Sequence, residues 1–204
     1  MIDYVKTQLC EKWGKWEQED TYEFIGSPEY LKAGVHFSYI FTPTETEKIE
    51  RYACECKVKL SEEIYELFKK CNGMRLFLSS FSLYGFQTGK EEMEPFDIRT
   101  ENNNIHMRMK ENRCDVPEWF FIGAYGDYVF AFDPVDNQCI KCVENGYADI
   151  EMTFATVDDL VHFFIPRMID KYRDDFCKKK PNMEFEKIPA LANAMFDIEE
   201  IKLG

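Results

Sequence analysis

Two close pairs of cysteines are the first candidates for a metal site or a redox pair. Cys139 and Cys142 form a C-x-x-C motif, and Cys54 and Cys56 lie two residues apart. A structural zinc ion needs four ligands that converge on one point. The first pair lies in a predicted strand, where side chains three residues apart point to opposite faces, and no glycine follows to fold a tight turn. A redox pair would need a positive environment such as a helix N-terminus. We therefore predict structural cysteines, most of them buried.

The histidines and glycines complete no catalytic motif. Nucleophilic catalysis needs a serine or cysteine beside a base, most often histidine, and none of His36, His106 and His162 lies in such a motif. The sequence has no P-loop, no G-x-G-x-x-G and no G-x-S-x-G. A hairpin turn explains Gly123 and Gly126 more simply than phosphate binding does. We predict no catalytic, cofactor-binding or metal-binding residues, and an unrecognised Cys/His hydrolase remains as the enzymatic alternative.

Acidic residues are the third chemical feature, and they are unevenly distributed. The chain of 204 residues has 38 acids and 25 bases, for a formal net charge of −13. Residues 114–160 contain ten acids and one base, Lys141, a local net charge of −9, whereas the other residues have 28 acids and 24 bases, a net charge of −4. Such a stretch is either a set of solvated turn residues or an interaction surface. The candidate partner-binding residues are Asp127, Asp133, Asp136, Glu144, Asp149 and Glu151.

The negative charge also limits the class of partner. Non-specific nucleic-acid binding requires lysine and arginine to neutralise phosphates, and anionic membrane surfaces repel an acidic protein. The short basic run 178–180 is interpreted as solvated surface. No apolar run follows the N-terminus, and no window is long enough to span a bilayer. We expect a cytoplasmic protein with reduced cysteines and a basic protein partner, and neither nucleic acid nor membrane as a ligand.

Helices are predicted from apolar residues at helical spacing and from residues that favour helix starts. Thr44 with Glu47 forms a capping box, and Ser61 caps the next helix, which Gly73 ends. Thr156 resembles a further cap. The predicted helices start near residues 2, 44, 61, 98, 156 and 190, and Pro166 lies inside the fifth, where it is expected to kink the helix.

Strands are predicted where aromatic and β-branched residues are bounded by turn residues. Gly126-Asp127 lies in a hairpin turn, and Asn145-Gly146 marks a further turn. Three short strands in succession form an antiparallel meander. Helices followed by a meander and another helix predict a single α+β domain over residues 1–204, with a mostly antiparallel sheet covered by helices. The predicted strands are 35–41, 74–86, 119–123, 128–132 and 138–143.

Three short motifs recur in an order that resembles a known family. They are Leu60-Ser61, Ile64-Tyr65, Leu67-Phe68 and Asn72-Gly73, then Ile122-Gly123, Gly126-Asp127 and Asp133, then residues 154–160. Their order and spacing over about residues 42–169 are similar to the SUKH superfamily, which includes yeast cell-wall-synthesis regulators and many bacterial immunity proteins. Ser61 stands where the family usually has proline, and both residues suit a helix start.

The resemblance carries expectations about fold and function. It implies an α+β core over about residues 42–170, with an N-terminal extension over 1–41 and a C-terminal extension over 171–204. It implies a non-catalytic protein-binding domain, in bacteria often an immunity protein that neutralises a toxin domain. A basic, nuclease-type toxin would suit the acidic charge of this chain. The alternative is a regulatory scaffold or ligand sensor related to the cell-wall regulators.

Overall fold

The computed structural model describes residues 1–25, 38–56, 60–87, 93–114, 118–133, 135 and 139–172. The predicted helix near 190–201 and the basic run 178–180 lie outside these residues. The described part has five helices, α1 Ile2–Trp13, α2 Thr46–Cys56, α3 Glu62–Lys70, α4 Ile98–Glu111 and α5 Val157–Tyr172. It has nine strands, β1 Glu17–Gln18, β2 Tyr22–Ile25, β3 Ser38–Phe41, β4 Met74–Leu76, β5 Phe81–Leu83, β6 Phe120–Tyr125, β7 Tyr128–Phe132, β8 Ile140–Glu144 and β9 Ile150–Phe154.

The nine strands form one antiparallel sheet in which each strand pairs with the next along the chain. This confirms the predicted α+β fold with a helix-covered antiparallel sheet. The predicted three-stranded meander is β6–β8, and it is part of a much longer one. The strands β1, β2 and β9 were not predicted. The apolar positions of β9 do alternate with Glu151 and Thr153, which is the pattern of a half-exposed strand.

The described residues within 1–41, a region that the family resemblance does not cover, belong to this sheet and its core. Val5 and Leu9 of α1 are fully buried. The strand β3 joins the sheet because Ile40 pairs with Met74 of β4. Lys6 of α1 forms a 2.6 Å ion pair with a residue of β2. The first helix and the first three strands therefore belong to the same packed unit as the later elements.

Aromatic side chains fill the space between the sheet and α5. Phe164 lies with its ring centroid 4.8 Å from Tyr125, 5.3 Å from Phe130 and 6.1 Å from Phe81. All four rings are buried, and such tilted ring pairs add to the free energy of burying apolar area. Aromatic residues make up 16% of the chain, and this packing accounts for some of them.

Two of the three predicted helix caps are confirmed. The Ser61 hydroxyl accepts a backbone N–H three residues on at 3.3 Å, and the Thr156 hydroxyl does the same at 3.0 Å. The capping box at Thr44 is wrong, because α2 begins at residue 46 and Glu45 accepts its first backbone bonds. The backbone N–H of Thr44 instead donates to the carbonyl of Phe68 at 3.2 Å, which ties the start of α2 to α3.

The motif residues that carry the family resemblance have structural roles. The side-chain amide of Asn72 donates to the carbonyl of Phe86 at 2.8 Å and accepts from its N–H at 2.7 Å, as a neighbouring strand would. Gly73 has φ +86°, and a Cβ there would lie 2.6 Å from the carbonyl oxygen of Leu83. A Cβ at Gly123 would lie 2.3 Å from the backbone of the adjacent strand. These residues therefore hold the turns and strand contacts of the sheet.

Candidate functional site

Of the six cysteines whose burial is described, two are buried, so the prediction that most are buried is wrong among them. The buried pair, Cys71 and Cys142, act as apolar core residues. Cys142 lies buried on β8, and burial raises the pKa of its thiol to about 12. Burial likewise raises the pKa of Cys71 to about 12. Cys139 precedes β8 and is partly exposed. No group of three or more histidine, cysteine, aspartate or glutamate side chains that could hold a metal occurs within the described part of the chain.

The two described histidines each lie within hydrogen-bond distance of a backbone carbonyl and contact an aromatic ring. His106 Nε2 lies 3.1 Å from the carbonyl oxygen of Trp119, and burial lowers the pKa of its imidazole. His162 Nδ1 lies 2.8 Å from the carbonyl oxygen of Asp158, and its ring stacks on Tyr4 at 3.9 Å between centroids. Neither contact presents a base to a thiol or hydroxyl, so the hydrolase alternative gains no support from them. His36 lies outside the described residues.

One of the six candidate partner-binding residues, Asp133, is buried in a network of hydrogen bonds. Its carboxylate is 2.7 Å from Lys141 Nζ and accepts the Trp119 indole N–H at 3.0 Å and the Val135 backbone N–H at 2.9 Å. The Asp133 and Lys141 side chains are only 9% and 8% exposed. Asp133 therefore neutralises Lys141, the one base of residues 114–160, inside the protein. Asp136 lies outside the described residues.

The remaining candidates are exposed, and three of them surround one tyrosine. Glu144 pairs with Tyr128 across β7 and β8, Asp127 occupies the turn just before Tyr128, and Glu151 lies at a bulge in β9. The pKa of Tyr128 is raised, first by burial, then by Glu151 and Cys142, and then by Glu144 and Asp127. We call Asp127, Glu144 and Glu151 the acidic patch. Asp149, also exposed, directly precedes β9 and extends it.

The two acids at the start of α5 have local partners. Asp158 pairs with the amino group of Met1 at 2.9 Å and with His162 at 3.3 Å. Asp159 accepts a 2.7 Å hydrogen bond from the Thr156 hydroxyl within the helix cap. Among the described acids of residues 114–160, one is therefore buried, two lie at a helix start and three form the acidic patch.

No family model, curated protein or solved structure matches this chain. Among the described helices, none combines the length and the apolar character needed to cross a bilayer. The class defined by the fold is an α+β domain with a nine-stranded antiparallel meander. Because the comparisons give no match, a functional proposal has to start from the geometry of the surface.

Proposed function

We propose that this protein is a cytoplasmic, non-catalytic binding protein of the SUKH superfamily. In this proposal it neutralises a basic, nuclease-type toxin by covering the toxin's active surface with the acidic patch. The observation that carries the proposal is the convergence of Asp127, Glu144 and Glu151 around Tyr128. The motif residues add support, because their roles in strand contacts and turns are those expected of residues that define a shared fold.

The patch has the physical properties of a binding surface for a basic partner. Its carboxylates are exposed, so a partner can reach them without unfolding the sheet. The nearby base of the same stretch, Lys141, is already buried against Asp133 and does not compensate them. Complementary charge speeds encounter between proteins at low salt, and the Tyr128 ring amid carboxylates suits a lysine or arginine side chain.

The proposal is tested on a basic toxin domain co-purified from the native organism. The triple variant Asp127→Lys/Glu144→Lys/Glu151→Lys is expected to associate at least about tenfold more slowly at low salt, because it replaces attraction by repulsion. The association rate is measured by stopped flow or surface plasmon resonance over a range of salt concentrations. Wild-type protein is also expected to protect cells that express the toxin.

A matched control separates the patch from the total charge. The variant Glu11→Lys/Glu17→Lys/Glu111→Lys changes the net charge equally at exposed sites on other elements. Equal slowing by both variants would mean that total charge alone steers association, which would contradict a role for the patch. Binding that is unaffected by salt and by both variants would favour the alternative, a regulatory scaffold or ligand sensor.

A further inference from the structure

The antiparallel sheet ends at β9, and no described strand pairs with the outer edge of β9. On its inner side β9 pairs with β8. Successive residues of an antiparallel strand direct their backbone groups alternately to its two sides, so every second residue of β9 directs its N–H and C=O away from β8. Such groups are a template to which a further strand can add. The outer edge of β9 is therefore a candidate interaction surface.

The strand β9 lacks several features that protect sheet edges from pairing. Those features include short edge strands, prolines and lysines. At the other edge of the sheet β1 has two residues, whereas β9 has five and contains neither proline nor lysine. A bulge at Glu151 interrupts the register with β8, which leaves Met152–Phe154 as the regular part. An added strand would form about two to four backbone hydrogen bonds, so side chains have to supply the rest of the affinity.

The side chains at the start of β9 offer apolar and acidic contacts on opposite faces of the sheet. Ile150 is 48% exposed, and Tyr147, in the turn before β9, is 40% exposed. Ile150 pairs with Val143, and the patch residue Glu144 follows Val143 in β8. Paired residues share a face and successive residues point to opposite faces, so Ile150 and Glu144 lie on opposite faces. An added strand would meet an apolar side chain on one face and carboxylates on the other.

The charge at this edge selects the occupant. A second copy of the chain would bring its own Asp149 and Glu151 towards the same acids, which is unfavourable. An extended segment with alternating basic and apolar side chains matches both faces, because it presents the two kinds to opposite sides. We propose that such a segment of the protein partner adds to the outer edge of β9 as a further strand. The basic charge of the partner rests on the proposed function, whereas the strand addition rests on the edge itself.

Two peptides with the same side chains test strand addition to the full chain. The first is an acetylated and amidated hexapeptide of alternating lysine and valine. The second has every backbone nitrogen methylated, so it keeps its charge but has no backbone N–H to donate. The first peptide is expected to bind, and the methylated one to bind at least about tenfold more weakly. Isothermal titration calorimetry measures both affinities.

Hydrogen exchange locates the bound peptide on the sheet. Of the adjacent backbone amides of Met152 and Thr153, one faces β8 and the other faces away from it. At saturation with the first peptide, the outward amide is expected to exchange at least about tenfold more slowly than in the free protein. NMR of the ¹⁵N-labelled protein measures this exchange.

A pair of variants tests the apolar contact. Ile150→Thr is expected to weaken binding of the first peptide about fivefold, because it removes apolar surface and keeps a β-branched side chain. Val135→Thr is the matched control, since Val135 is also exposed but follows β7. It is expected to leave the affinity unchanged. Equal weakening by both variants would contradict a contact with the start of β9.

The outcomes separate strand addition from the proposed function. Equal affinity of the two peptides would overturn strand addition, because both carry the same lysines and only one can donate backbone hydrogen bonds. An absence of binding by the first peptide, or of slower exchange in β9, would overturn it as well. The proposed function fails separately, if the patch variant and its control slow the association of the toxin equally.

Discussion

At the scale of single residues, the Asp133–Lys141 pair joins three parts of the molecule. The carboxylate of Asp133 bonds to Lys141 on β8, to the Trp119 indole ahead of β6 and to the backbone of Val135 after β7. Lys141 Nζ also lies 5.3 Å from the centre of the Trp119 ring. A buried charge in such a network is stabilised only while its partner is present, because water cannot solvate the charge that remains.

We predict that Lys141→Met destabilises the fold by about 3–5 kcal/mol, because it leaves the Asp133 carboxylate buried without its counter-charge. Urea denaturation measures the free energy of unfolding, and the m-value is expected to stay unchanged. The double variant Asp133→Asn/Lys141→Met serves as control and is expected to be more stable than Lys141→Met alone, since no charge stays buried. A loss below about 1 kcal/mol in the single variant would contradict the role given to this pair.

Asp133 also illustrates which features of a site the sequence could reveal. The acidity of residues 114–160 is readable from composition, and it led to Asp127, Glu144 and Glu151, which the structure places around Tyr128. Burial of Asp133 depends on the register that brings Lys141 to β7 and on the distant Trp119. Residue type and local spacing carry no information on such contacts, so a buried acid could not be told from exposed ones by sequence alone.

At the scale of elements, a glutamate of α3 helps to start α5. The Glu63 carboxylate accepts the backbone N–H of Val157, one of the helix-start donors that have no partner within a helix. The Thr156 hydroxyl accepts another, from Asp159, at 3.0 Å. The pKa of Glu63 is raised, first by burial and then by the charges of Asp159 and Asp158, against the effect of its hydrogen bond. The start of α5 therefore couples the packing of α3 to pH.

The raised pKa of Glu63 predicts the direction of a pH effect. The folded protein holds this proton more tightly than the unfolded chain, so the contribution to stability is present below the ordinary pKa of 4.5 and is lost as pH rises through the folded pKa. Relative to Glu63→Gln, the wild-type melting temperature is expected to fall as pH increases from about 4 to 7. Differential scanning calorimetry of both proteins at several pH values measures this difference.

Glu66 on the same helix provides a control of opposite sign. A hydrogen bond from Lys69 lowers the pKa of Glu66, so its contribution is present above the unfolded pKa and is lost as pH falls through the folded one. Relative to Glu66→Gln, the wild type is therefore expected to gain stability as pH rises. The same slope for both comparisons would contradict the environment described for Glu63.

Among the elements, those with strong local patterns were predictable. The helices α1, α3, α4 and α5 follow apolar spacing, and Ser61 and Thr156 cap the predicted ends. The strands β1 and β2 have two and four residues, which is too short for a periodic pattern to stand out. The turn between β4 and β5 was missed because Phe77, Leu78 and Ser79 all have positive φ, which such residues rarely adopt without tertiary support.

At the scale of the whole molecule, negative charge is divided between structural and exposed roles. Asp133 is neutralised inside the protein, and Asp158 pairs with the amino group of Met1. The acidic patch has no such compensation within residues 114–160, and its three carboxylates are like charges grouped near Tyr128. Like charges held together on a surface lower stability slightly, and proteins retain them where function benefits. The patch should therefore matter more to binding than to folding.

Neutralising the patch tests the isolated protein. Without a partner, Asp127→Asn/Glu144→Gln/Glu151→Gln should leave the free energy of unfolding unchanged or raise it by at most about 1 kcal/mol at low salt, because the repulsion among the three carboxylates is removed. Added sodium chloride should stabilise the wild type more than the variant, because salt screens a repulsion among the patch carboxylates that only the wild type has. Urea denaturation at low and high salt measures both effects.

The Glu11→Gln/Glu17→Gln/Glu111→Gln variant is the matched control, because its charges change by the same amount on separate elements. It should show a smaller gain at low salt than the patch variant does. If the patch variant instead loses more than about 1 kcal/mol, its carboxylates stabilise the fold. A slower association by that variant could then not be assigned to a binding surface. Stable folding combined with slow association would separate the two roles and place the acidic patch at the interface with a basic partner.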